Sequence, residues 1–437
     1  MPDKKLYITL SLIFIAIIGI PALQTLTRIL PENRLNGTVY DKPLTKPGLD
    51  DWMHFRYQPA LNHHVEQNFG FRTFFVRLYN QIEYSVFRQP HGSGVVIGKE
   101  GYLFEEWFIT SYFGKDFIGE ERSNTKIRQL KQVRNYFNRN GKELMVVIAP
   151  GKADFYPEYI PDRLKDTLLL NNYQVLSEGI REAGIPLLDF NPFFLKIKDT
   201  SSYSFFPQTG THWSHYGARL AADSLSGFVQ MLLKRPLPDF RLGPLQPADS
   251  VIYPDADLEN LMNLFFPLAK QPLCYPEVIS QAADGFNLPS ALVIGDSFFW
   301  QMFNLPLTGR IFKEVSYWYY NSTVYPESYT DSLKTSELKF PEVFSGKDLV
   351  ILMANPSNLQ NIGWGFLERA ISELYEPIWQ KEYDKMVQEY IQAIHNTPEW
   401  EKQIGEDARG RGIPKDSLIN LNARYMVEQY LLTNDLF

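Results

Sequence analysis

Four short, unbroken apolar runs constrain this chain more than any other feature: Leu144 to Ala149, Ile185 to Leu188, Ala291 to Ile294 and Leu349 to Met353. None is long enough for a packed helix, and none alternates between apolar and polar residues. Such runs read as strands buried on both faces, which is the environment of a parallel sheet. Parallel strands need crossover connections, usually helices, and the sequence supplies them. Ser123 to Asn140 sets Ile127, Leu130, Val133 and Phe137 on one face, and Gly141 stands where a C-cap glycine belongs. Asn171 to Gly184 repeats this pattern ahead of the second run. The expected fold class is therefore α/β, a parallel sheet flanked by helices.

Other segments extend the plan. Thr73 to Phe87 has Phe74, Phe75, Leu78 and Ile82 at helical spacing, and Val95–Gly98 with Gly101–Phe104 reads as a short strand pair. From Phe366 onward the strand signal stops and helices dominate, with starts at Thr397-Pro398 and Pro414. Near the N-terminus, Leu6 to Thr27 carries no charged side chain over about 22 residues, enough to cross a bilayer as a helix. Lys4 and Lys5 precede it, so the positive-inside rule leaves them in the cytoplasm and exports the rest. A cleaved signal peptide and a core helix are the competing readings. The expected division is 1–30 cytoplasmic stub and transmembrane anchor, 31–67 linker and entry segment, 68–361 α/β domain, and 362–437 helical tail.

Composition excludes some functions. The net charge is −7 with no clustered basic stripe, so nucleic acid is not an expected partner. The single cysteine, Cys274, cannot form an intrachain disulfide, and no Cys/His spacing offers a closed zinc site. Neither a metal nor an organic cofactor is expected.

In sheets of this class ligands bind beyond the carboxyl ends of the strands, which directs inspection to Pro150, Lys152, Asp189, Asp296, Ser297 and Asn355. Gly295-Asp296-Ser297 places a hydroxyl just after a buried run, behind a glycine that permits a sharp turn. A serine needs an adjacent base to become a nucleophile, and the bland alternative is a helix cap. His212, in Gly210-Thr211-His212-Trp213, is the best available base; His215, on the first turn of the following helix, reads as structural. Trp213 and the run Tyr317-Trp318-Tyr319-Tyr320 are either a sugar-stacking surface or strand core.

His212-Trp213 with Gly217-Ala218, upstream of Gly295-Asp296-Ser297, resembles the AlgX/AlgJ family of polysaccharide O-acetyltransferases, SGNH-hydrolase-like proteins of the bacterial cell envelope. Gly98 to Phe104 and Ile148 to Ala153 with Tyr156-Pro157-Glu158 are similar to further family segments, and the histidine precedes the serine by about 85 residues, as in that family. The resemblance implies that Ser297 carries an acetyl group and that His212 moves the proton; the Ser297 N–H and the Asn355 side chain are the candidate oxyanion donors, although the family usually has an acidic residue in the segment around Asn355. It also implies a polysaccharide acceptor, a membrane-bound O-acyltransferase as donor partner, and a site on the periplasmic side of a bacterial cytoplasmic membrane. A carbohydrate acetyl esterase using the same residues and a non-catalytic polysaccharide-binding relative are the alternatives.

The chain departs from the family at Gly210, where the pattern has an aspartate that orients the histidine. Asp189, Asp154 or Glu158 could substitute, a backbone carbonyl could serve, or the protein could be an inactive relative.

Overall fold

The computed structural model describes residues 4–37, 44, 46, 48–281, 285–304 and 308–433. Part of the expected Pro31–Pro47 linker, and the extreme ends of the expected first and last segments, lie outside the described residues.

Among the described residues there are ten strands: β1 (Val95–Ile97), β2 (Leu103–Glu105), β3 (Glu143–Ile148), β4 (Leu187–Asp189), β5 (Phe240–Leu242), β6 (Val278–Ser280), β7 (Ser290–Gly295), β8 (Glu314–Tyr319), β9 (Thr323–Tyr325) and β10 (Leu349–Ala354). Six of them form the central sheet in the order β4-β3-β10-β7-β8-β9. The four apolar runs supply β3, β4, β7 and β10, all parallel, with Leu349 opposite both Glu143 and Ala291. The strands of the four runs and β8 are parallel, as expected, and the edge strand β9 makes the sheet mixed by pairing antiparallel to β8. Tyr320 and Asn321 cause this, because consecutive positive φ values of 50° and 48° fold the chain back as a tight hairpin requires.

Alternation along the strands divides the core into two layers. Met145, Val147, Val293, Tyr317 and Met353 face the Ser214-capped helix His215–Leu233 and a cluster of phenylalanines including Phe155, Phe194 and Phe298. Leu144, Val146, Ile294, Trp318 and Leu352 face the helices Glu120–Arg139 and Asn172–Glu182. With both faces covered, each large apolar side chain contributes about 1.5–3 kcal/mol of burial, so unbroken apolar runs are what this sheet requires.

Phe366, Leu367 and Leu374 join that second layer, while Glu376–His395, Pro398–Arg411 and Lys415–Thr433 pack around a separate cluster that includes Val387, Ile394, Ile404 and Ala423. The N-terminal helix is Lys4–Thr27; among the described residues it alone is long and apolar enough to cross a membrane, and its apolar stretch is exposed.

Candidate active site

Ser297 follows β7 directly. Gly295 keeps ordinary extended backbone, so its role is not conformational freedom. A side chain there would meet the Met353 carbonyl of β10 at 3.3 Å. The turn is held by Asp296, which is fully buried: its carboxylate accepts from the Phe298 N–H (3.1 Å), the Asn355 N–H (2.8 Å), Asn355 Nδ2 (2.7 Å) and Asn358 Nδ2 (3.2 Å). Burial raises the Asp296 pKa, and these donors, with His212, work against that rise. The Ser297 side chain is thereby aimed away from its neighbour.

His212 stands one residue before Trp213, whose indole is locked in the core by Phe190, Phe194 and Phe298 and donates to the Phe298 carbonyl at 3.2 Å. Ser214 then caps the following helix by accepting from the Gly217 N–H at 3.0 Å. The ring is therefore fixed at a loop-to-helix junction. Its Nε2 lies 2.7 Å from Ser297 Oγ, and its Nδ1 lies 2.6 Å from Asp257 Oδ2. A nitrogen facing a carboxylate carries the proton, which leaves the Nε2 lone pair toward the serine hydroxyl. Burial by itself lowers the His212 pKa; Asp257, then Glu105 and Asp296, outweigh it and hold the pKa above the ordinary value.

Asp257 opens the short helix Asp257–Met262. Its Oδ1 accepts from the Thr211 N–H and the Leu258 N–H, each at 2.8 Å, so the carboxylate ties the histidine's own loop to its helix. Its approach explains Gly210. A Cβ at 210 would stand 2.8 Å from Pro207 Cγ and 2.9 Å from the Asp255 carbonyl oxygen. The backbone that delivers Asp257 occupies the space a side chain at 210 would need.

Two further groups hold this loop. Lys152, buried behind it, donates to the carbonyls of Pro207 (2.8 Å), Gln208 (3.1 Å) and Gly210 (2.5 Å). Burial pushes its ammonium down to about 7, opposed by the Asp257 and Glu105 charges. Glu105, at the end of β2, accepts from the Thr211 hydroxyl at 3.0 Å and from Trp107 Nε1 at 2.9 Å.

Several expected roles are corrected. Asp189 does not orient His212: it ends β4, caps the next helix through the Asn191 N–H (3.1 Å), and takes Tyr173 (3.0 Å) and Arg181 (2.6 Å) on its other oxygen. Asp154 is beside Gly151 and Asp189, and Glu158 is paired with Lys198 at 2.7 Å. Nor does a backbone carbonyl take the place, since Nδ1 faces Asp257. The Asn355 side chain is buried, gives one amide N–H to Asp296 and accepts on its oxygen from the Ser357 N–H (2.9 Å) and hydroxyl (2.6 Å), and it is not among the residues lining the cleft at Ser297. Trp213 and Trp318 are core residues with no exposed surface. Strand alternation turns Trp318 toward Phe340 and Phe366, opposite to Tyr317 and Tyr319.

Sequence reasoning passed over Asp257 because the stretch from Gly243 to Pro289 had been assigned no element. Pro254-Asp255-Ala256-Asp257 ahead of Leu258, Leu261 and Met262 is a helix-start signal that could have drawn attention to it. Tyr320, in the run read as either a sugar-stacking surface or strand core, lines the same cleft as Ser297; burial, with Asp296 and Tyr319, raises the pKa of its hydroxyl, and Ser297 works against that rise.

Ser297, His212 and Asp257 open onto a cleft of about 670 Å³. Trp107 and Tyr253 are exposed at its wall, with Trp300, Tyr319 and Tyr320 deeper. Among the described residues lining it, Glu105 and Asp257 are carboxylates and none is lysine or arginine. Gln301 Oε1 and His215 Nδ1, both on lining residues, have no partner in the protein. His215 Nε2 lies 3.0 Å from the Tyr253 carbonyl and so carries the proton, leaving Nδ1 an acceptor.

Comparison with known proteins agrees with this site in part of its length. Residues 95–262 match the family model described as SGNH hydrolase-like domain, acetyltransferase AlgX; the match includes His212 and Asp257 and ends before Ser297. The probable alginate O-acetylase AlgJ of Pseudomonas aeruginosa is 31% identical over 176 residues, 39% of this chain and 42% of the relative. That of Pseudomonas syringae pv. tomato is 25% identical over 174 residues, covering 40% and 43%. The chain thus spans less than half the length of these curated relatives. Among solved structures, the O-acetyltransferase domain of Pseudomonas putida AlgJ aligns with a TM-score of 0.42 at 22% identity, over 62% of this chain and 93% of that one. Pseudomonas aeruginosa AlgX aligns with a TM-score of 0.35 at 19% identity, over 60% and 54%. Over residues 95–262, the chain is therefore similar to the SGNH hydrolase-like domain of the acetyltransferase AlgX.

Proposed function

We propose that the protein is an O-acetyltransferase that moves an acetyl group through Ser297 onto a polysaccharide hydroxyl. One observation carries this reading: His212 bridges Ser297 at 2.7 Å and Asp257 at 2.6 Å, the arrangement of nucleophile, base and orienting acid. Asp257, arriving 45 residues after the histidine, fills the role left empty at Gly210.

His212 Nε2 takes the serine proton as Oγ attacks the donor carbonyl, and returns it to the leaving group. The sugar hydroxyl then attacks the acetyl carbon, gives its proton to Nε2, and the Ser297 ester bond breaks with that proton passing to Oγ. The Ser297 N–H, at the turn after β7, is the oxyanion donor in this reading, with the Tyr320 hydroxyl, on the lining of the same cleft, as the second. Lys4–Thr27 anchors the chain in the cytoplasmic membrane with the cleft on the periplasmic side, where a membrane-bound O-acyltransferase supplies the acetyl group.

The acceptor is an uncharged, hydroxyl-rich glycan. Glu105 and Asp257 line the cleft without a lysine or arginine among its described lining residues, and Trp107 and Tyr253 offer flat surfaces for sugar rings. A polyuronate such as the alginate named for the relatives would bring carboxylates against Glu105 and Asp257.

The test is covalent. A fluorophosphonate should label the wild type at Ser297 and leave Ser297→Ala unlabelled, and an activated acetyl ester with an oligosaccharide should give acetylated sugar. An unlabelled wild type, or acetate as the sole product, sinks the transferase reading.

A further inference from the structure

The helix Arg72–Ile82, continued as a wider turn through Glu83–Phe87, is amphipathic, yet its orientation is inverted. Phe74, Phe75, Leu78, Tyr79, Ile82 and Val86 form one stripe, and all are exposed, from 39% at Leu78 to 66% at Val86. The polar face is the one held by the protein. Buried Asn80 donates to the Met262 carbonyl at 2.8 Å, Arg77 donates to the Leu264 carbonyl at 3.3 Å, and Gln81 Oε1 accepts from the Phe265 and Phe266 N–H groups at 3.2 and 3.1 Å. A water-facing helix places these two faces the other way round.

The start of this helix is fastened to the end of the apolar N-terminal helix. The Gly70 N–H donates to Thr25 Oγ1 at 2.7 Å, and a Cβ on Gly70 would meet the Pro21 carbonyl oxygen at 2.5 Å. Glu32 accepts from the Phe71 N–H at 2.8 Å and the Thr73 hydroxyl at 2.9 Å, closing the junction. Arg28 donates to the Asn68 carbonyl, and Arg28 and Arg88 are exposed at the two ends of the stripe. An apolar stripe rich in aromatics, flanked by arginines and starting where an apolar helix would leave a bilayer, has the chemistry of an interfacial helix.

We infer that residues 72–87 lie in the headgroup region of the membrane with the stripe toward the acyl chains. This rests on the anchor reading of Lys4–Thr27 given above. The polar-face bonds run to residues 262–266, directly after the helix that starts with Asp257, so a membrane-seated helix holds the cleft at a fixed height above the lipid surface.

The full chain in nanodiscs of phosphatidylethanolamine and phosphatidylglycerol tests this, with Cys274→Ala as background and a nitroxide on Leu78→Cys, Ile82→Cys or Asn124→Cys. Thermal midpoints matching the unlabelled protein establish that each variant folds. The expected result at 78 and 82 is at least about threefold more collision with oxygen, and threefold less with an aqueous nickel chelate, than at 124. Nickel access at 78 and 82 equal to that at 124 overturns the inference, and shielding from both reagents overturns it in favour of a protein partner or a second copy. Failure of the chain to float with vesicles of the same lipids overturns the anchor reading and this inference together, whereas flotation with water-exposed labels overturns this inference alone.

Discussion

Gly210 and the turn that leads into Asp257 are sterically coupled: a Cβ at 210 would meet Pro207 Cγ at 2.8 Å and the Asp255 carbonyl oxygen at 2.9 Å. Asp257→Asn keeps the shape but removes the charge that fixes the His212 tautomer. The expected loss in acylation rate is up to about ten thousand-fold, as for an orienting acid in a serine triad. The pH profile should move with it. His212 acts as a base only when neutral, so wild-type acylation should rise through a midpoint above the ordinary histidine value, because Asp257 holds the pKa up. Without that charge the effect of burial remains, so the residual activity of the variant should rise at lower pH than the wild type; an unmoved midpoint would show that Asp257 does not act on His212. Gly210→Asp, which places an acid two residues before His212, is expected to harm. Its Cβ would stand 2.9 Å from the Asp255 carbonyl, so the turn bearing Asp257 must move. Overpacking of this kind costs about 1–3 kcal/mol, and the paired measurement of thermal midpoint and acylation rate should fall in both. A more active Gly210→Asp variant would contradict the packing argument.

Elements differ in how far the sequence revealed them. Unbroken apolar runs can mean only double-sided burial, so β3, β7 and β10 were legible almost to the residue, and Ser297 and His212 came with the strand end and the helix start beside them. The β9 hairpin was hidden because its turn begins at left-handed Tyr320, a bulky residue that does not announce a turn, although Asn321 after it is a residue that favours one. Asp257 was hidden because its role depends on a loop crossing in space, which no periodicity records. The helix at 72–87 was legible as a helix, but the pattern alone cannot say which face meets the protein. The 207–211 loop is likewise a tertiary product: three of its carbonyls converge on Lys152. Lys152→Met keeps the buried stem and removes every donor. Each orphaned carbonyl costs roughly 1–3 kcal/mol before relaxation, so denaturant titration should show a loss of at least about 2 kcal/mol. Acylation should weaken as His212 loses its support, while Lys152→Arg recovers part of both; an unchanged unfolding midpoint would rule out the staple.

At the scale of the whole molecule, the cleft combines carboxylates, aromatic planes and acceptors in a chain of net charge −7. Transfer from an activated acetyl ester to neutral oligosaccharides should exceed transfer to mannuronate oligomers by at least about tenfold at low salt, and the gap should narrow as salt screens the repulsion. Equal use of both ladders would remove the charge argument. The steric coupling at Gly210 also bears on ancestry. A state holding acids at both 210 and 257 is strained, because a Cβ at 210 would stand 2.9 Å from the Asp255 carbonyl oxygen in the turn that leads into Asp257. An unstrained exchange passes through a glycine with an unassisted dyad or through a shift of the whole 253–257 turn. Genome searches keyed to an acid two residues before the histidine would discard such descendants as dead copies, whereas a pattern pairing glycine there with an acid about 45 residues beyond the histidine would recover them.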